Sequence, residues 1–447
     1  MGPRSSFRSS SVALVLVLGL VLGACSQTGG SAPKPSGGAP QATAPAAPAQ
    51  SGGAQQPSGG QQPSAGQTET LIVGAALPLT GDVAQEGKFQ RDGYELWKDT
   101  VNAKGGIEAG GKRYQVDLRY LDYRSDTSTA VRLLERLITE DKAQFVFGPF
   151  GSGATVAASA VNEKYEIPMC SPSASSEEVY QKGYQYLFGI LVPNSVVGNE
   201  TLDAVAGAEP RPRTMAIISR NDLFPKAVAN ASKAAAEARG VEVVYFEEYP
   251  IGATDLSAPL LGAKAKNPDI LMGTGYVNDL ILMTKQAKEQ RVNPRVFVQT
   301  AGPAYPAFTD ALGADANYIV TPTWWAPEAK YTDNGKLFGS AADFAKQFQD
   351  KYGYAADYVS AASSACGAVL QSAIERAGSV DPKKVRDAMA STDLQSFYGN
   401  IKFNAQGQNV GTGVTMLQIQ NAKQVAIAPA AAATGKLIYP TPEWDRR

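Results

Sequence analysis

"QFVFGPFGSGATVAAS", residues 144–159, decides how this chain is to be read. The apolar run Phe145-Val146-Phe147 fits a short buried strand, and the Ala-rich sequence from residue 154 onward fits a helix. Gly148, Gly151, Ser152 and Gly153 crowd the junction. Such a junction can cradle phosphate, cradle a carboxylate, or serve only as a tight turn. The phosphate motifs do not fit. A Walker loop, G-x-x-x-x-G-K-[ST], is missed between Gly81 and Phe89 by one residue too many and by phenylalanine in place of a hydroxyl. The dinucleotide fingerprint is not completed after Gly151-Ser152-Gly153. Ser152 is no elbow nucleophile, because Phe150 stands where G-x-S-x-G needs glycine and the chain has no histidine to activate it.

A simpler arrangement remains. A helix starting at Gly153 or Ala154 presents unpaired N–H groups and the positive end of its dipole, with Ser152 at the N-cap. No arginine or lysine lies in the loop, so one carboxylate suits it better than a phosphate, and a plain N-cap stays the alternative. The dipole alone contributes only about 0.3–2 kcal/mol, so other donors must converge. "MCSPSASSEE" supplies them, with Ser171, Ser173, Ser175 and Ser176 ending the next strand before an acidic helix start. Adjacent strand ends lie about 5 Å apart.

Outward from this point strand and helix signals alternate. "LIVGAAL" reads as a buried strand, "YELWKDTVNAKGGI" as an amphipathic helix with a glycine stop, "YQVDLRYLD" as a strand and "TAVRLLERLITED" as a helix. The cadence restarts at "RTMAIIS", with the helix "FPKAVANASKAAAEARG" and the strands "VEVVYFEEY", "DILMGTG" and "RVFVQT". Helices are expected around residues 338–352 and 357–377. Two α/β units in series imply two parallel sheets, with a ligand held where their strand ends face one cleft.

Composition narrows the function. The 447 residues are 44% apolar with a net charge of −1, so nucleic acid is not expected as a partner. Without histidine, Ser-His-Asp chemistry and His-ligated metals are excluded. No paired carboxylates or cofactor motif support an enzyme. Arg4 and Arg8 precede the apolar run Val12 to Leu22, the layout of a secretory signal over residues 1–25. It ends in "LGAC", which resembles a bacterial lipobox and makes Cys25 the expected lipidation site. Residues 26–68, rich in Gly, Pro, Ser, Ala and Gln with one lysine and no carboxylate, read as a flexible tether. Cys170 and Cys366 sit among small and apolar residues, which favours packed thiols over a bond between them.

"IVGAALPLTGDVAQEGKFQRDGYELW", "GPFGSGAT", "IPMCSPSASS", "GYQYLFGI" and "GTGYVNDLILMTKQAKEQ" stand in the order seen in leucine/isoleucine/valine-binding proteins, the solute receptors of ABC importers. The resemblance spans residues 70–425. It implies a type I periplasmic binding protein fold, with two doubly wound lobes joined by three hinge crossings. The first lobe would take residues 70–190 and 323–420, the second 191–322 and 421–447. It also implies that Ser152 binds the ligand carboxylate through its hydroxyl, Ser173 binds through its backbone, and Ser175 takes the place of a threonine that touches both ammonium and carboxylate. Tyr276 matches a tyrosine that the second lobe brings down on the ligand. The family's glutamate after the strand "RVFVQTAG" has no counterpart, since Ala301 fills the slot and no acid follows until Asp310. Glu86 replaces an aromatic residue lining the side-chain pocket, and would meet a cation or hydroxyl of the ligand or be a solvated rim residue. Trp324 and Trp325, in "TPTWWAPEA", would stack on the ligand or pack the hinge; Tyr358 is a weaker candidate.

The expected function is therefore lipid-anchored capture of a small carboxylate-bearing solute, with a branched-chain or related amino acid as the family default. The receptor would be monomeric, need no metal or cofactor, and deliver to permease and ATPase subunits in the inner membrane. The alternatives are a receptor for an aromatic carboxylate or short amide, or a sensor feeding a membrane signalling partner.

Overall fold

The computed structural model describes residues 68–334 and 336–447. The expected signal segment, Cys25 and the tether up to residue 67 lie outside the described residues; Thr68 already opens the first strand. The first sheet contains β1 (Thr68–Leu77), β2 (Ile107–Ala109), β3 (Lys112–Asp122), β4 (Phe145–Phe147), β5 (Met169–Ser171) and β6 (Leu187–Gly189). Their order is β2-β3-β1-β4-β5-β6, parallel except for the edge pair β2–β3. The short strands β4, β5 and β6 are buried throughout, as their largely apolar character suits strands covered on both faces.

The second sheet takes β7 (Thr214–Arg220), β8 (Glu242–Tyr249), β9 (Ile270–Thr274), β10 (Val296–Thr300) and β11 (Val320–Thr323). The chain then returns to the first lobe for the helices Ala341–Tyr352 and Tyr358–Ala377 and the hairpin β12 (Asp393–Ser396) and β13 (Gly399–Lys402). It crosses back for β14 (Thr415–Gln420) and β15 (Lys423–Ala428). The order β15-β14-β11-β10-β9-β7-β8 is parallel on the β8 side and antiparallel beyond β11. This is the expected α/β architecture of two lobes and three crossings. One boundary moves: residues 415–420, expected in the first lobe, form β14 and pair with β11 in the second sheet.

Two further expectations are corrected. The first helix runs from Ala84 to Ala103 and so begins ten residues before "YELWKDTVNA". Gly87 and Gly93, which weaken that half as a helix signal, serve close packing instead. A Cβ on Gly87 would lie 2.2 Å from the Pro78 carbonyl oxygen, and one on Gly93 2.2 Å from that of Ser360. Glu86 thereby enters the first turn of a helix that starts at the cleft. Cys170 and Cys366 are bonded, with Cα atoms 5.6 Å apart, so β5 is tied to the helix Tyr358–Ala377. The small residues that suggested a packed thiol let this helix lie directly against β5.

Candidate functional site

In each sheet the strand order reverses at one point. β1 is flanked by β3 and β4, and β7 by β8 and β9. Crevices for ligands open beyond the carboxyl ends of strands at such switch points. In the first lobe these ends lead to Asp82, Glu86 and the loop Gly148–Gly151; in the second they lead to Arg220, Phe224 and Tyr276. The two sets meet. Arg220 bonds Asp82 across the lobes, the Asn278 side chain donates to the Asp82 carbonyl at 3.2 Å, and the Val277 N–H donates to Glu86 Oε1 at 3.4 Å.

The hydroxyl cluster exists, and its members hydrogen-bond the two loops to each other. The helix runs Ser152–Lys164, so Ser152 is its first residue and Gly151, at φ +83°, occupies the N-cap without a side-chain cap. Ser152 Oγ accepts the N–H groups of Ser175 and Ser176 at 3.3 and 3.2 Å. It thereby holds the second serine loop against the first. Ser173 Oγ accepts the Gly151 N–H at 3.0 Å. The Ser175 hydroxyl donates to Asn194 Oδ1 at 2.6 Å, which ties it to the first crossing. All three serines are buried. The described hydrogen bonds leave the Ser152 proton undonated, together with first-turn N–H groups that have no partner inside the helix.

Aromatic rings from seven separate segments line the meeting of the lobes. Phe150 packs on Tyr276 at 5.5 Å between centroids, Tyr276 on Phe224 at 5.9 Å, and Phe224 on Trp324 at 6.0 Å. The series continues from Trp324 to Tyr358 at 4.8 Å, to Tyr305 at 5.3 Å and to Phe89 at 5.3 Å. Phe89 stands three residues beyond Glu86 on one helix, which brings the series back to the carboxylate. The Tyr305 hydroxyl donates to that of Tyr358 at 2.8 Å. Trp324 is buried in this series and its indole N–H has no partner among the described residues. Trp325 is not part of it. Its indole N–H donates to the Phe397 carbonyl at 3.1 Å and its ring meets Phe344 edge-on, so of its two expected roles it takes packing near the crossing.

Glu86 is fully buried, which excludes the solvated-rim alternative. Burial pushes its carboxyl up to about 7; the charges of Asp82 and Asp279 add to the rise, while backbone N–H groups oppose it. Its Oε2 has no hydrogen-bond partner among the described residues. A buried acceptor left unpaired costs on the order of 1–3 kcal/mol, so this atom marks where a donor belongs. Ala301, expected in the slot of a glutamate, is buried at φ +74° and ψ −56°. That backbone costs on the order of 1–3 kcal/mol for a residue with a side chain, and the loop it opens delivers Tyr305 rather than an acid.

Sequence reading missed Asp82, Phe89, Phe150, Arg220, Phe224 and Tyr305. Arg220 carried a signal, as a charged residue closing the apolar strand "RTMAIISR". A cavity of about 160 Å³ beside the cluster is lined by Asp82, Tyr123, Phe150, Gly151, Arg220 and Tyr276. A larger one, about 480 Å³, lies by the crossings among Glu200, Tyr331, Val414 and Pro429. It touches no strand end of either switch point, so the cleft remains the better site.

Residues 70–424 match the family described as periplasmic binding protein. The chain belongs to this family. A Leu/Ile/Val-binding protein homolog 8 from Brucella abortus is 27% identical over 380 residues, covering 82% of this chain and 92% of the relative. The branched-chain amino acid substrate-binding protein LivJ of Streptococcus pneumoniae, solved with isoleucine, superposes with a TM-score of 0.71 at 25% identity, covering 81% of this chain and all (100%) of that one. The leucine-binding protein LivK of Thermotoga maritima gives 0.72 at 21% identity, covering 80% and 98%. The two-lobed fold and its binding role are thus those of the family.

Proposed function

We propose that this protein is an extracytoplasmic lipoprotein receptor of an ABC importer, binding a small carboxylate-bearing solute, a branched-chain or related amino acid, by closure of its lobes. The observation that carries this reading is the meeting of both switch points, hydroxyl loops on one side and Tyr276 on the other, at one buried aromatic cleft. Gly151 to Ala154 begin a helix whose N–H groups suit a carboxylate, and the Ser152 proton can add a further donor. Ser173 keeps Gly151 in place, and Ser175 braces the loop through Asn194.

Closure is a population shift. A ligand that touches both lobes favours the closed form by the contacts only that form makes. The work is capture and delivery; ATP hydrolysis belongs to partner subunits, and the permease receives the solute. Cys25 in "LGAC" supplies the anchor in this reading, and exchanging it for alanine would release the protein from membranes. The relatives' names support the amino-acid assignment.

The test is a thermal-shift and calorimetric screen with valine, leucine, isoleucine, benzoate and short amides. A branched-chain amino acid should raise the melting temperature by mass action. A rise with benzoate alone, and none with the amino acids, would remove the assignment.

A further inference from the structure

Resting on the two-lobed receptor reading, we propose that Glu86 and the rings of Tyr276, Tyr305, Trp324, Tyr358 and Phe89 form a subsite for an alkylammonium group of the solute. The cationic end of the ligand is thereby read from the first helix of the first lobe rather than from the loop after β10.

Four observations carry it. Glu86 is completely buried in the first turn of the helix Ala84–Ala103, and only one of its oxygens is bonded, by the Val277 N–H at 3.4 Å across the lobes. The other, Oε2, has no partner among the described residues. An ammonium group carries several N–H donors and a compensating charge, so it answers both the missing hydrogen bond and the uncompensated carboxylate. The loop after β10 cannot do this, because Ala301 opens it and no acid follows until Asp310.

The rings supply the second half of the recognition. Tyr276 directly precedes Val277, whose N–H bonds Glu86; Phe89 lies one turn along the helix from Glu86 and stacks on Tyr305 at 5.3 Å, and Tyr305 packs on Tyr358 at 5.3 Å. The nearest-neighbour series from Tyr276 through Phe224, Trp324, Tyr358 and Tyr305 to Phe89 draws together π faces from both lobes. Aromatic faces attract a cation most where water is excluded, and they tolerate the methylene groups attached to it. A carboxylate within a set of π faces is the chemistry of amine recognition. Arg220 is not a competing counter-ion, since Asp82 and Asp279 hold its guanidinium and Tyr276 faces it.

The experiment compares matched probes on the wild-type protein and on Glu86→Gln and Glu86→Met, by calorimetry and thermal shift. The probes are the twenty standard amino acids, isopentylamine and 4-methylpentanoate, the last two being leucine without its carboxylate and without its amine. Amine-bearing probes that bind the wild type should lose about 30-fold or more in both variants, while 4-methylpentanoate binds weakly and loses nothing. Binding of 4-methylpentanoate as tightly as leucine would overturn the subsite while leaving the carboxylate receptor standing. Tight isopentylamine with no amino-acid binding would keep the subsite and remove the carboxylate reading. Unchanged leucine affinity in Glu86→Gln, or a wild type that no amine-bearing probe stabilises, overturns the subsite. Glu86→Met keeps the comparison valid should Glu86→Gln fold poorly.

Discussion

Arg220, at the end of β7, bonds Asp82 of the opposite lobe while its Nη1 donates to Asp279 of its own lobe at 2.8 Å. The two carboxylates differ in setting. The Asp82 side chain is 40% exposed, whereas those of Arg220 and Asp279 are 4% and 7% exposed. The outer bond is a latch between lobes, and the inner one is part of the second lobe's structure.

Asp82→Asn should therefore act on closure alone. Exposed pairs contribute about 0–1 kcal/mol, which corresponds to up to about a 5-fold weaker ligand with faster dissociation and little change in melting temperature. Arg220→Leu should cost on the order of 3–5 kcal/mol of stability, because it leaves Asp279 buried without its partner. Stopped-flow dissociation and thermal melts of both variants check this. Equal effects on stability would show that the inner and outer bonds form one unit.

Glu86 makes stability depend on pH, and the sign follows from its raised value. Folding lifts the carboxyl from 4.5 to about 7, so between these values the folded chain holds a proton that the unfolded chain has released. Its contribution is most favourable below about 4.5 and is lost as pH rises toward 7, amounting to about 3 kcal/mol. Asp357, buried and lifted to about 7, adds in the same direction. The titratable groups about Glu86 are Asp82, Asp279 and the hydroxyls of Tyr123, Tyr276, Tyr305 and Tyr358, and Arg220 is bonded to the two aspartates. Burial raises these tyrosines above their ordinary range, so they do not titrate between pH 4.5 and 7. Glu86→Gln should raise the melting temperature at pH 8 more than at pH 5. An alkylammonium ligand should bind more tightly as pH rises to about 7 and release protons near pH 6, visible as a buffer-dependent calorimetric heat.

The bond between Cys170 and Cys366 closes a span of 196 residues. Cross-links of long spans restrict the unfolded chain and typically stabilise by about 2–4 kcal/mol. Reduction, or the double change Cys170→Ala and Cys366→Ala, should lower the melting temperature without moving ligand affinity more than a few-fold. Thiol labelling in denaturant under non-reducing conditions gives the direct check. Two labelled thiols from this pair would remove the bond.

These outcomes reflect what a chain can display locally. The βα alternation was legible because the buried strands are short, mostly apolar runs, several of them closed by glycine or proline, and strand ends pointed to the serine loops. The first half of the helix Ala84–Ala103 was hidden by Gly87 and Gly93, whose purpose lies in Pro78 and Ser360. The aromatic cleft was hidden for a related reason, since its seven rings come from seven segments that only the fold assembles. Trp324 and Trp325 are neighbours in sequence, yet one joins the cleft rings and the other the core around Phe344 and Phe397. Residue type cannot tell them apart; the direction in which the chain leaves β11 does.

Ser152 carries the sharpest remaining test, because its hydroxyl serves the fold and, in the proposed function, the ligand. Ser152→Ala removes the acceptor for the Ser175 and Ser176 N–H groups, which are buried and gain no substitute from a methyl group. The ligand-free protein should therefore lose about 1–3 kcal/mol of stability. The same change removes a donor to the carboxylate, so affinity for a carboxylate-bearing probe should fall by a further 10- to 100-fold, about 1.4–2.7 kcal/mol. Ser152→Thr separates the two effects, because it keeps the oxygen that accepts both N–H groups while crowding the cleft. A variant that loses stability but keeps full affinity would confine Ser152 to bracing the serine loop, leaving the carboxylate to the backbone N–H groups that follow Gly151.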